Sequence, residues 1–393
     1  MANIDFGRLV LGCADNSFDS SIRITADLES QAGPHSPVKP AVYEGGRYQT
    51  DRRWDSGGEP ADVVVVDTVP SQANRLELAL ERSPIRFPEL VLDLTGIKGL
   101  PAHLPKKLSS LQFPHRNADA YLRDSTLDEI DFEKTDLGKQ IFNGTAWDAG
   151  SIMAWFPQAL LYGFWQSHLG KKGQQSKHAR CWVSEIVGWH PATTDTKVMG
   201  LKGDSLNLTS DVQVTRNEKD GFDWQVGKVK LEGGKSDKLS EIGHGQVPFM
   251  RDSDATPAGI SFGKVTQTAT VSFSQLRRVS LGGSPDDDAI ARALLVSMGL
   301  YAHVHAFGRA FSLRSGADLR PTATKMLWMG ATPSEDEEMP LPNQDEVSDL
   351  LGSALDEARS AGLPVDGWGG EPVVLQPKSN LRKAIVSSWD LQE

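Results

Sequence analysis

Four β-branched residues in a row, Val63-Val64-Val65-Val66, form the most decisive hydrophobic stretch of the chain. Such a run suits a buried strand far better than a helix, and it predicts a strand over Asp62–Val69. Pro70 ends the strand, and Ser71 caps a predicted helix over Ser71–Arg82. That helix carries Ala73, Leu76 and Leu80 on one side and Asn74, Glu77 and Glu81 on another. A strand that feeds at once into a helix opens an α+β or α/β unit. Further strands are predicted at Leu90–Leu94, at Cys181–Val187 and, from the alternation of Val265, Gln267, Ala269, Val271 and Phe273, at Lys264–Phe273. Helices are predicted at Pro114–Leu127, near Pro157 within Ile152–Leu161, over Ala289–Ala306 behind Asp286-Asp287-Asp288, and over the amphipathic Asp345–Ala361. Residues 14–60, rich in Ser, Pro, Gly and charge, read as extended loops around one or two strands. Residues 191–240 read as an insertion of hairpins and loops, and Gly243–Gly263 as a long loop or hairpin tip. The order strand, helix, strand, helix, insertion, strand, helix, tail fits an α+β fold, a heavily decorated palm of ferredoxin or RRM type.

Composition narrows the class. The chain has 393 residues, 39% of them hydrophobic and 24% charged, so a real core is expected. Cys13 and Cys181 are the only cysteines, which argues against a disulfide scaffold and a cysteine-rich zinc site and makes a reducing cytoplasm the expected location. No apolar run reaches about 18 residues and the first residues lack a basic segment, so neither a membrane span nor a signal peptide is expected. The net charge of −11 argues against nucleic-acid binding until its distribution is considered. Ala331–Glu393 holds 13 acidic and 4 basic residues, a net of −9, which leaves −2 for Met1–Gly330. The bulk of the chain is thus free to carry local basic patches.

Three polar clusters are candidates for binding. Ser71, Gln72, Asn74 and Arg75 open a helix behind a buried strand and form a phosphate cradle, although a capped helix with a solvated face uses the same residues. His115, Arg116, Asp119, Arg123 and Asp124 follow Pro114. On a helix Asp119 and Arg123 pair across four residues, and His115 shares a face with Asp119, but two ligands are too few for a metal. Arg116 is left for phosphate. Trp165, Ser167, His168, Lys171, Lys172, Lys177, His178 and Arg180 place cations beside an aromatic ring, the pattern of contact with single-stranded nucleic acid. Arg277, Arg278 and Arg314 add guanidinium groups suited to phosphate. The sequence has no Walker A loop, no G-x-G-x-x-G, no H-E-x-x-H and no G-x-S-x-G. No catalytic residues, metal or cofactor are therefore assigned.

Together, Val69–Glu77 (VPSQANRLE), Pro114–Ser125 (PHRNADAYLRDS), Ala159–Ser167 (ALLYGFWQS), Gly243–Pro248 (GHGQVP), Ser272–Arg278 (SFSQLRR) and Leu313-Arg314-Ser315 resemble the backbone RAMP subunit of type I-U, also called I-G, CRISPR Cascade complexes. The resemblance implies an RRM-like palm at 1–190 with 264–330, a finger-type insertion at 191–242, a thumb-like hairpin tip at 243–263 and an acidic helical segment at 331–393. His244, Gln246, Val247, Phe249 and Met250 would lie on the thumb. It further implies a non-enzymatic subunit that binds CRISPR RNA, stacks with further copies of itself and presents the guide to target DNA. The large subunit, a fused guide-processing RAMP subunit and a helicase–nuclease would be its other partners. The alternative is a metal-dependent RNA nuclease of the RAMP superfamily, built on His115, Asp119 and Asp124.

Overall fold

The computed structural model describes residues 4–44, 47–167, 176–192, 205–206, 208–209, 211–228, 233–244 and 259–389. Its centre is an antiparallel sheet of eight strands: β1 (Ser21–Ser30), β2 (Thr50–Trp54), β3 (Pro60–Asp67), β4 (Trp182–Pro191), β5 (Phe262–Ser272), β6 (Phe311–Ser312), β7 (Asp318–Met329) and β8 (Glu337–Met339). The strands run in the order β6-β7-β1-β5-β4-β3-β2, with β8 on β7. All the pairings are antiparallel. The four central strands, in the order β7-β1-β5-β4, match the arrangement of a split βαβ unit and are consistent, in general terms, with a ferredoxin-like palm.

Helices cover one face of this sheet. They are α1 (Phe6–Cys13), α2 (Val69–Glu81), α3 (Pro285–Phe307) and α4 (Gln344–Ser360). Ile22, Ile24, Ala269, Val271, Met326 and Trp328 meet Leu76 and Leu80 of α2, Leu294 and Leu300 of α3, and Val347 and Leu351 of α4 in a single hydrophobic core. The capping box at Ser284 and Asp287, with acidic residues in the first turn, starts α3 as the aspartate run predicts. This helix is long and apolar enough to cross a membrane, but 83% of its apolar window is buried inside the protein. The apolar stripe of α4, Val347, Leu350, Leu351, Ala354, Leu355 and Ala358, is buried as predicted. Thus the acidic C-terminal segment packs into the main core.

One expectation needs correction, and two others gain detail. The helix expected over Pro114–Leu127 is instead a 3-10 turn at Arg116–Ala118, one helical turn at Ala120–Arg123 and a strand at Ser125–Leu127. Asp119 causes the break: its carboxylate caps Tyr121 N–H (3.0 Å) and accepts from His115 N–H (2.9 Å), which starts a new helix there. Residues 14–60 hold the ten-residue strand β1 at the centre of the sheet as well as β2. The insertion contains a three-stranded sheet of Gln213–Asn217, Trp224–Val226 and Gly234–Lys238. A separate five-stranded sheet pairs Val373–Pro377 in parallel with Leu90–Asp93.

Candidate nucleic-acid groove

Two of the three sequence clusters meet at a groove of about 800 Å³, beside the start of α2 and β4. It is lined by His115, Arg116, Trp165, Ser167, Lys177 and Arg180, with Val69, Gly163 and Val183 among its other walls. Trp165 and Lys177 sit on a short hairpin of Phe164–Gln166 and Ser176–His178. Gly163, at φ 80°, makes the turn into it; a Cβ there would lie 2.9 Å from the His178 carbonyl, so only glycine fits.

The floor of the groove is a closed ion pair. Arg116 donates from Nε to Glu77 Oε1 (2.7 Å) and from Nη2 to Oε2 (2.9 Å), and its third nitrogen donates to the Gly163 carbonyl (3.1 Å). Arg116 holds this pose at φ 55°, an uncommon conformation for a residue other than glycine and one that costs about 1–3 kcal/mol. Arg116 is 8% exposed, and Glu77, expected on a solvated helix face, is 3% exposed. Burial pushes the Glu77 carboxyl above its usual range, while Arg116 and, more weakly, Arg180 pull it back.

The rim is different. Arg180 has no ion-pair or hydrogen-bond partner for its guanidinium among the described residues. Burial and the neighbouring Arg116 both disfavour its charged form, and Glu77, already committed, opposes them. Lys177 lies over the Trp165 ring at 5.8 Å. Trp165 is 60% exposed, whereas Trp182, at the other end of the basic stretch, is 2% exposed in the core. His115 is exposed at the mouth. The ring of His178 is turned inward, with Nε2 at 2.9 Å from the Leu160 carbonyl; burial lowers its pKa, as does the charge of Arg278. An anion entering this groove meets uncompensated positive charge beside an open aromatic face.

The first cluster is organised around a residue the sequence reading did not single out. Asp67, fully buried at the end of β3, accepts from Ser71 Oγ (2.8 Å), Gln72 Nε2 (2.5 Å), Arg75 Nε (2.9 Å) and Arg314 Nη2 (2.8 Å). Gln72 Oε1 then accepts from Ser184 Oγ (2.9 Å) and Gln267 Nε2 (2.7 Å), which ties α2 to β4 and β5. Arg314 also donates to the carbonyls of Val66 and Lys39. Ser71, Gln72, Arg75 and Arg314 therefore hold the palm together, and Asn74 alone of this cluster is fully exposed. An acid closing a buried valine run, followed four and five residues later by Ser and Gln, was the available signal.

The remaining candidates are scattered. Arg277 donates to the carbonyls of Gly12, Ala14 and Asp19 and fixes the segment before β1. Arg278 is exposed near His178. Arg123 pairs with Asp124, not with Asp119. His244 packs its ring on Trp224 at 5.7 Å. His168, Lys171, Lys172, Gln246, Val247, Phe249 and Met250 lie outside the described residues. Among the described residues no three His, Cys, Asp or Glu side chains gather as a metal would require.

Residues 22–192 match the family described as CRISPR-associated protein GSU0053. The match spans somewhat under half of the chain and contains the whole lining of the groove. Among curated proteins nothing matches. The family match supports a CRISPR-associated protein with a part in CRISPR-based defence.

Proposed function

We propose that the chain is an RNA-binding scaffold subunit of a Cascade-type CRISPR effector. It holds a guide RNA by its backbone, assembles in further copies along that guide and leaves the bases free to pair with target DNA. The observation that carries this reading is the unpaired Arg180 beside the exposed Trp165, within the segment that matches a CRISPR-associated family. A guanidinium fork takes two phosphate oxygens, and a tryptophan face stacks on any base, so the pair grips a strand without reading its sequence. Base pairing then supplies the specificity, the division of labour used by RNA-guided effectors. The large subunit, the guide-processing RAMP subunit and the recruited helicase–nuclease belong to the same reading and rest on the sequence resemblance.

The competing reading, a metal-dependent nuclease built on His115, Asp119 and Asp124, draws no support from the geometry. Both oxygens of Asp119 accept backbone N–H groups, and Asp124 is held by Arg123. One preparation tests both readings. The scaffold reading expects the purified protein to carry RNA of defined length and to bind added single-stranded RNA with strong salt dependence but little sequence preference. It also expects labelled RNA to stay intact with magnesium or manganese. A nucleic-acid-free protein without RNA affinity, or metal-dependent cleavage lost in Asp119→Ala, overturns it.

A further inference from the structure

We infer that the open face of the main sheet is a second surface for single-stranded nucleic acid, continuous with the groove, on which Arg23 takes a phosphate and Thr25, Thr268 and Thr270 bond the sugar–phosphate backbone. This rests on the groove reading above and extends the strand's path beyond it.

The sheet is one-sided along β1, β5 and the first half of β4, whereas toward β3 the residues Val63, Val65 and Val187 are buried on this face as well. Both hydrophobic clusters draw on the alternate residues that include Ile22, Ile24, Ala26 and Leu28 of β1 and Val265, Ala269 and Val271 of β5. Arg23, Thr25, Thr268, Thr270, Val183 and Glu185 belong to neither cluster, and each is partly or fully exposed. One solvated face is ordinary for an antiparallel sheet, so exposure alone carries nothing. The register carries the argument. Val183 pairs with Thr270, Thr270 with Arg23, and Arg23 with Leu327, giving one row across β4, β5, β1 and β7. Val183 is also a wall of the groove, so the row begins where the groove ends. At the usual spacing of strands it extends about 14 Å from that edge. The next row is Glu185, Thr268, Thr25 and Lys325.

Charge decides the occupant. The acids on this face are engaged: Glu185 and Asp51 with Arg53, and Asp27 with Lys264 (2.8 Å). Beyond the end of the row beside the groove, on β8, stands Glu338, which Lys325 approaches at 3.9 Å; the row itself, from β4 to β7, contains no acid. Its one charge, Arg23, has no partner among the described residues, nor do the hydroxyls of Thr25, Thr268 and Thr270. A half-buried, unpaired guanidinium among hydroxyls and apolar side chains is incompletely compensated until an anion arrives. Hydroxyls and arginines are the groups that position a phosphate backbone. The two rows hold no aromatic ring, so this surface guides the strand while the groove stacks it.

Fluorescence anisotropy with single-stranded RNAs of about 4 and about 16 nucleotides, the range of site sizes for compact single-strand-binding folds, tests this. The expected result for Arg23→Glu is about tenfold weaker binding of the longer RNA and a log–log salt slope smaller by about one, with the shorter RNA unaffected. Thr268→Val with Thr270→Val, which keeps the strand shape, should give a smaller loss on the longer RNA only. Photocrosslinking of 4-thiouridine RNA to the wild-type protein covers the case of a variant that fails to fold, and is expected at peptides containing Arg23 or Thr268–Thr270. If the longer RNA binds and Arg180→Ala weakens it, but Arg23→Glu changes neither affinity nor slope or crosslinks appear only at groove peptides, the open face is overturned and the groove stands. If wild-type protein binds neither RNA, both fall. Binding of a protein to this face with no effect of Arg23→Glu on RNA would overturn it too.

Discussion

Arg116 and Arg180 line the same groove and look alike in the sequence, yet they do opposite things. Arg116 is spent on Glu77 and a carbonyl, with every nitrogen used inside the fold. Arg180 has no ion-pair partner among the described residues. The same contrast separates Arg75 and Arg314, committed to Asp67, from Arg23 on the open sheet face. A cation's availability depends on which acid the fold brings to it, and that is a tertiary fact.

The sharpest way to break the contrast is to remove a spent arginine. Arg116→Ala strands the Glu77 carboxylate in the interior and is expected to cost about 3–5 kcal/mol of stability by denaturant unfolding; a loss below 1 kcal/mol would mean the floor pair is not structural. A second large effect comes from the wall behind the groove. His303 is fully buried against Trp182, with no hydrogen-bond partner for Nδ1 among the described residues and its pKa lowered by burial to about 4. Its folded pKa lies below its unfolded one, so the unfolded chain binds the proton more readily. Stability is therefore lost as pH falls from about 6.5 toward 4, by up to about 3 kcal/mol. His303→Phe should flatten that part of the pH profile, and an unchanged slope would reject the assignment.

The rim variants sharpen the contrast from the other side. Trp165→Ala should weaken single-stranded RNA binding by about 1–3 kcal/mol, the worth of one stacked base, while the melting temperature hardly moves. Arg180→Ala should lower affinity by about tenfold and the log–log salt slope by about one, with stability within about 0.5 kcal/mol of wild type. If Arg180→Ala instead destabilises as much as Arg116→Ala, the two arginines are the same kind of residue.

Local pattern was legible and long-range pairing was not. The valine run, the helix after it, the aspartate-capped α3 and the apolar stripe of α4 each carry their signal within a few residues, and each stands as an element in the fold, although the helix after the valines starts at Val69 behind Thr68 and not at the expected Ser71 cap. The strand β1 also had a signal, the alternation of Ile22, Ile24, Ala26 and Leu28, but the polar and proline-rich surroundings obscured it. The helix expected over Pro114–Leu127 failed because Asp119 supplies a cap in the middle of an apparently helical run. For the site, Trp165, Lys177, His115 and Arg180 could be proposed from residue type alone. That Glu77 would neutralise Arg116, or Asp67 gather Ser71, Gln72, Arg75 and Arg314, could not, because these partnerships are made when separate elements pack.

The parallel pairing of Val373–Pro377 with Leu90–Asp93 has a consequence for synthesis. Val373 aligns with Leu90, 283 residues earlier, so one edge of the inner strand stays open until the ribosome has made nearly all of the intervening chain. At ordinary translation rates that wait is on the order of ten to sixty seconds. A nascent chain stalled or cleaved in this interval exposes an apolar strand edge, Leu90-Val91-Leu92, able to recruit a neighbour on the same polysome.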